Sequence, residues 1–220
     1  DLDHMLALLE NANPVREQIF QECIDRANLR VIGRLYRGYR ILQNTRRSVR
    51  SPADMRGLKI RSPEAAVNTQ AIRAMGAIPV TLTASELFTS MAQGVCDGAE
   101  QSITESYGLR IHELAKYVSE TNYIAATVLI LVNEDWYQSL TPEQQKAVTR
   151  AGEEATEFRL ALLKDEEEKA YKAFADRGAE ILYAKDIDMD AFVEAAQPVY
   201  KLLLDRIDEK LYFAIRDMKY

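Results

Sequence analysis

Residues 58–101 read LKIRSPEAAVNTQAIRAMGAIPVTLTASELFTSMAQGVCDGAEQ, and the punctuation of this stretch decides the fold. Leu58 to Arg61 has the pattern of a short strand, Ser62-Pro63 turns the chain, and Glu64 to Met75 carries helical spacing. Ile78 to Leu82 is β-prone again, Ala84 to Gln93 helical, and Val95 to Glu100 a further strand. Strand and helix alternating over so short a span indicate an α/β layered fold with a largely parallel sheet.

The same rhythm extends outward. Ser102 to Leu114 reads as helical and Tyr117 to Val132 as one long bent strand or two in sequence. Upstream, Leu29 to Tyr36 alternates as a half-buried strand does, and Arg40 to Arg50 reads as a polar connection bearing Arg40, Arg46, Arg47 and Arg50. Residues 3–27 form two short helices broken at Asn11 to Pro14, with Leu6, Leu9, Val15, Ile19, Phe20 and Ile24 as apolar positions. Thr141, Pro142 and Gln144 have capping-box spacing, and no helix-ending residue follows until Gly178. A helix from Pro142 to Arg177 is about 54 Å long, more than a domain of this size spans, so it is expected to lie across two lobes. Gly152 inside it costs about 1 kcal/mol. Val148, Ala151, Ala155, Phe158 and Leu162 are its expected apolar stripe, and Lys164 to Lys169 a solvated face. Ile181 to Tyr183 reads as a strand, with helices to the C-terminus.

Composition narrows the function classes. The 220 residues are 47% hydrophobic and 28% charged with a net charge of −6, which disfavours nucleic acid as a partner. The longest apolar run, Tyr123 to Val132, is too short to span a bilayer. The chain opens on Asp1-Leu2-Asp3-His4 and not on the basic patch and apolar stretch of a signal peptide, which is compatible with an exported protein whose signal is removed. Cys23 and Cys96 read as two buried or half-buried thiols, with a single disulfide as the alternative.

Catalytic and metal-binding patterns are absent: there is no phosphate loop, nucleophile elbow or zinc spacing. His4 and His112 read as surface or capping histidines. Asp97 and Glu100 form a carboxylate pair suited either to acid–base work or, more simply, to turn formation and a hydrogen bond. Arg61 is more informative. It ends a strand, where open α/β sheets place their ligand crevice, and its guanidinium fork matches a carboxylate. The alternative is a surface salt bridge to Glu64 or Asp54. Gln101 sits at an equivalent crevice position.

Four motifs carry a family resemblance: Ser51-Pro-Ala-Asp-Met-Arg-Gly-Leu-Lys-Ile-Arg61, Ala74-Met-Gly-Ala-Ile-Pro-Val-Thr-Leu82, Ser85-Glu-Leu-Phe88 and Gly94-Val-Cys-Asp-Gly-Ala-Glu100. In this order they resemble the extracytoplasmic solute-binding proteins of tripartite ATP-independent periplasmic (TRAP) transporters, as does the long helix after Thr141. The resemblance implies a two-lobed periplasmic-binding-protein fold of type II-like character. Residues 1–40 would be the remainder of lobe I and a first crossing strand, 41–125 lobe II, and 126–220 a second crossing strand, the bridging helix and C-terminal helices. Lobe I is expected to be incomplete, because family members carry further strands and helices before this segment.

The resemblance also implies a function: capture of a small organic acid in the periplasm and delivery to integral-membrane TRAP permease subunits by a monomer without catalysis, metal or cofactor. Arg61 matches the arginine that binds the substrate carboxylate, Arg40 in Gly38-Tyr39-Arg40 a second arginine, and Gln101 a ligand-contacting amide that is often Asn. Glu64 stands where some members have a polar residue, often Asn, that faces the ligand, a departure that leaves the acid unspecified. Hydroxy or keto acids, sugar acids and dicarboxylates all fit, with Glu64 favouring a polyhydroxylated acid and, as second choice, an amino-acid-like zwitterion. Hinge closure of the lobes would exclude water and strengthen the charge-assisted bonds. The competing readings are the ligand-binding sensor module of a receptor and an α/β enzyme of organic-acid metabolism.

Overall fold

The computed structural model describes residues 2–9, 13–204 and 207–218. Of the expected break at Asn11 to Pro14, residues 11 and 12 lie outside the described residues, as do the side chains of Leu6 and Leu9, whereas Asn13 caps and Pro14 opens α2. The elements in chain order are α1 (Leu2–Leu9), α2 (Pro14–Ala27), β1 (Leu29–Asn44), β2 (Lys59–Ser62), α3 (Ala66–Ala74), β3 (Ile78–Thr81), α4 (Leu87–Ala92), β4 (Gly98–Gln101), α5 (Ile103–Gly108), β5 (Tyr117–Asn133), α6 (Glu134–Gln138), α7 (Pro142–Asp176), β6 (Glu180–Leu182), α8 (Met189–Leu204) and α9 (Glu209–Arg216). The strand order is β3-β2-β4-β1-β5-β6.

Most of the described strand pairs are parallel, as expected, with one antiparallel pairing. β2 runs parallel to β3 and β4, and β5 to β6, but β4 is antiparallel to β1. The expected polar connection after Tyr36 is in fact strand as far as Asn44. Gln43 and Asn44 are fully buried there because hydrogen bonds satisfy their amides; Asn44 Oδ1 accepts from Arg46 N (2.8 Å) and Arg47 N (2.9 Å). Polarity alone therefore misplaced the strand end.

The chain divides into two compact units, Asp1–Arg37, Ala125–Lys164 and Ile207–Tyr220 in the first, Gly38–Ile124 and Asp165–Arg206 in the second. In the second unit, strand alternation sends neighbouring residues into different cores. Leu42 and Ile60 join Met55, Leu58 and Ile72 on the face covered by α3 and α8. Ile41 and Ala99 join Leu87, Met91, Ile103 and Phe174 on the other. Each fully buried side chain of this kind contributes about 1.5–3 kcal/mol.

Asp97-Gly98 ties three strands of this unit together. Asp97 Oδ2 accepts from Lys59 N (2.8 Å), its N–H donates to Lys59 O (2.7 Å), and its carbonyl accepts from Thr45 N (2.9 Å). Gly98 follows because a Cβ there would collide with the backbone of Gln43 and Asn44.

In the first unit, Asn13 caps α2 by accepting from Val15 N (2.9 Å), and Asn28 ends that helix in the left-handed region, φ 55°. Helix α7 has 35 residues, about 52 Å, with residues in both units. Its buried line is not the expected apolar stripe. Phe158 is 68% exposed, whereas Gly152, Thr156 and Arg159 meet β1. Thr156 Oγ1 accepts from Arg34 N (3.0 Å) and Arg159 Nε donates to Tyr36 O (3.1 Å), so the helix packs there by hydrogen bonding to strand backbone. Gly152 is a packing requirement, because a Cβ there would run into Ile32 O.

Candidate functional site

All four expected site residues lie in the second unit. Arg61 sits in β2, with Val80 beside it in β3 and Ala99 in β4. Its side chain is drawn along the sheet, and the residue is only 5% exposed. Nε donates to Leu82 O at 2.9 Å, and among the described residues no carboxylate comes within 4.0 Å of the guanidinium. The salt-bridge alternative therefore fails on both counts: Asp54 instead accepts from Arg50 N, Ser51 N and Ser51 Oγ, and Glu64 is exposed without pairing to Arg61.

Burial lowers the pKa of Arg61, and the charge of Arg40 lowers it further, partly offset by Glu100 and Glu105. Pro63, Glu64, Thr81, Leu82, Thr83 and Glu86 line a cleft of about 320 Å³ with it. Glu86 is held in place by Thr83, whose N–H and Oγ1 donate to Oε2 at 2.9 and 2.6 Å.

Arg40 is arranged differently. It lies within β1, where register puts it on the same face as Leu42 and Glu100. Nε donates to Glu100 Oε2 (2.6 Å) and Nη2 to Glu100 O (2.7 Å). Burial pulls the Arg40 pKa down, but the charges of Glu100 and Tyr123 and the hydrogen bond to Glu100 together raise it. Glu100 is 1% exposed, and burial raises its pKa despite Arg40. Its Oε1 has no hydrogen-bond donor. The Tyr123 hydroxyl is also buried, beside Glu100 and Asn68. Burial, then the Glu100 charge, keeps that phenol protonated.

Gln101 points the other way from Glu100 and is fully buried. Its Nε2 donates to Ser106 Oγ (3.0 Å), which donates to Gln43 Oε1 (2.9 Å), and Gln43 Nε2 returns to Gln101 O (3.1 Å). One atom of Gln101, Oε1, is left without a donor. The charges of Arg40 and Glu100 bear on Arg61, although register puts Arg61 on the face of Ala99 and Gln101 and the Arg40–Glu100 pair on the other; Glu64 lies on the rim of the Arg61 cleft, and the Gln101 amide is tied into an internal network.

Sequence reasoning missed Tyr123 and the Gln43–Ser106 bridge, since neither belongs to a motif and both depend on strand pairing. For Glu100, turn formation or a hydrogen bond was the right kind of role, but its partner was unreadable. His112 is half-buried rather than fully at the surface, with ring contacts to Tyr107 and Phe174 at centroid distances of 5.0 and 6.0 Å and its Nδ1 buried without a partner among the described residues. Both cysteines are free, Cys96 buried and Cys23 half-buried. Among the described residues no cluster suits a metal ion, and no helix is long and apolar enough to cross a membrane.

Residues 3–206 match the family described as bacterial extracellular solute-binding protein, family 7. The 2,3-diketo-L-gulonate-binding periplasmic protein of Escherichia coli K12 is 28% identical over 167 residues, 76% of this chain and 50% of that protein. The C4-dicarboxylate-binding periplasmic protein of Rhodobacter capsulatus is 25% identical over 166 residues, 75% of this chain and 50% of that protein. A TRAP periplasmic solute binding protein from Sulfitobacter sp. NAS-14.1, crystallised with bound β-D-galacturonate, superimposes with a TM-score of 0.90 at 26% identity, covering 99% of this chain and 71% of that one. The chain spans about half the length of these curated relatives.

Proposed function

We propose, for a chain that belongs to the bacterial extracellular solute-binding proteins of family 7, that it captures a small organic acid in the periplasm and hands it unchanged to the membrane subunits of a TRAP transporter. The observation that carries this reading is Arg61, a residue at 5% exposure whose one hydrogen bond among the described residues goes to a carbonyl. Burying a charge without a counter-charge is costly, so an arginine kept in this state at a strand end is poised for an anion from outside. A carboxylate docking there gains two parallel charge-assisted bonds.

The relatives named above bind a diketo sugar acid, a uronic acid and dicarboxylates, all carboxylates. The test is calorimetry on the full-length protein with an acid found by thermal-shift screening, since a ligand at about 100 times its Kd raises stability by about 2.7 kcal/mol. Arg61→Ala is expected to weaken binding roughly thirtyfold or more, and Arg61→Lys to restore it only in part, because an ammonium lacks the fork. Unchanged affinity in Arg61→Ala would overturn the reading.

A further inference from the structure

We propose that the end of the sheet opposite the Arg61 cleft docks on an anionic phospholipid bilayer, through arginines of the β1–β2 loop that flank the apolar side chains of Ile78 and Val95. The proposal is independent of the carboxylate-binding reading, which concerns the other end of β2.

The loop supplies the charge. Residues 44–59 hold Arg46, Arg47, Arg50, Arg56 and Lys59 against one acid, Asp54, in a chain whose net charge is −6. All four arginines are exposed. Asn44 turns the loop by accepting from Arg46 N and Arg47 N, and Arg47 fastens it by donating to Asp54 O and Arg56 O. Arg46, its side chain 65% exposed, lies 3.7 Å from Asp97 Oδ1. Arg50 and Arg56 have no side-chain partner among the described residues. The carboxylates nearby already serve backbone donors: Asp54 those of Arg50 and Ser51, and Asp97 that of Lys59. Asp188, whose N–H donates to Arg50 O, accepts in turn from Ala191 N. Positive charge is therefore in excess at this surface, on guanidinium forks that match a phosphodiester.

Strand pairing sets the apolar side chains beside that charge. Ile78 N donates to Leu58 O (2.8 Å), and Lys59 Nζ donates to Gly94 O (2.9 Å), one residue before Val95. The turn leading into Ile78 rests on the same loop, since a Cβ on Gly76 would lie 3.5 Å from Arg56 Cγ. Ile78 is 52% and Val95 47% exposed. Cations draw lipid phosphates from a Debye length away, and apolar side chains between them enter the headgroup boundary. Two separate apolar side chains framed by cations suit a fluid surface that moulds around them better than the broad apolar core of a protein interface.

Flotation of the full-length protein with vesicles tests the proposal. Phosphatidylcholine vesicles with about 30 mol% phosphatidylglycerol are expected to bind about tenfold or more tightly than phosphatidylcholine alone, and the difference to vanish as salt rises from about 0.05 to about 0.5 M. Each arginine near an anionic surface strengthens binding about fivefold, so Arg50→Gln/Arg56→Gln should lose about tenfold or more. The exposed Arg26 and Arg150 belong to the other unit, and removing the same charge there, in Arg26→Gln/Arg150→Gln, should change binding by less than about twofold. Ile78→Ser/Val95→Ser should weaken binding about threefold or more. Equal affinity for both kinds of vesicle, or an equal loss in the Arg26→Gln/Arg150→Gln control, overturns the proposal, as does unchanged affinity in either variant of the patch. Binding to neither vesicle also overturns it and leaves an acidic protein surface as the occupant. Should Arg50→Gln/Arg56→Gln fail to fold, Arg46→Gln decides, with a loss of about fivefold expected and an unchanged affinity overturning the assignment.

Discussion

Arg61 and Arg40 stand close enough to feel each other's charge, yet the protein treats them in opposite ways. Arg40 is matched by a carboxylate two residues from the same β4 glycine that brings the strands together. Among the described residues Arg61 has a carbonyl and no carboxylate within 4.0 Å. A buried charge paired within the chain belongs to the fabric, and removing its partner is destabilising. A buried charge left unpaired costs stability, and on the proposed function that cost is relieved when the ligand's carboxylate docks.

The contrast breaks most sharply at Glu100. Glu100→Ala leaves the Arg40 guanidinium without its counter-charge and is expected to cost about 3–5 kcal/mol in denaturant unfolding. A cost below about 1 kcal/mol would mean that the pair holds little together. Gly98→Ala attacks the same pair through the backbone, since the new methyl meets Gln43 and Asn44 and pushes β4 from β1. A loss of about 2 kcal/mol is expected there, with the melting temperature as readout.

Arg61→Met should do the reverse of Glu100→Ala. In the absence of ligand its unfolding free energy is expected to stay within about 1 kcal/mol of the parent or rise, while stabilisation by organic acids disappears. A large loss of ligand-free stability would show Arg61 to be structural. The smallest effect belongs to His112. Burial lowers its pKa below 6.5, aided by Arg177 and Arg110 and opposed by Glu113. The folded chain then binds fewer protons than the unfolded one, so this group costs stability as pH falls through about 6.5. His112→Phe should flatten the fall in melting temperature between about pH 7 and pH 5.

Residue pattern alone located nearly every element of the second unit within a few positions. Ser62-Pro63, Gly76 and Gly94 punctuate the chain, and the strands they bound are short. It failed where polar residues are buried by mutual satisfaction. Gln43 and Asn44 read as connection because their partners, Gln101, Ser106 and Arg47, are supplied by other strands, helices and turns. The stripe of α7 failed for the same reason: Thr156 and Arg159 look solvent-facing until a strand backbone lies against them.

For the site, Arg61 was legible because a guanidinium at a strand end is a local fact, readable from the residue and the turn after it. The role of Glu100 was not, because whether it meets Arg40 depends on the register of β4 against β1, which places residues 40 and 100 on one face and Gln101 on the other. Residue type determined which charges this protein carries near its crevice. Only the tertiary structure decided which of them cancel, because strand pairing brings together groups sixty positions apart at distances where a Coulomb interaction in a dry interior is strong.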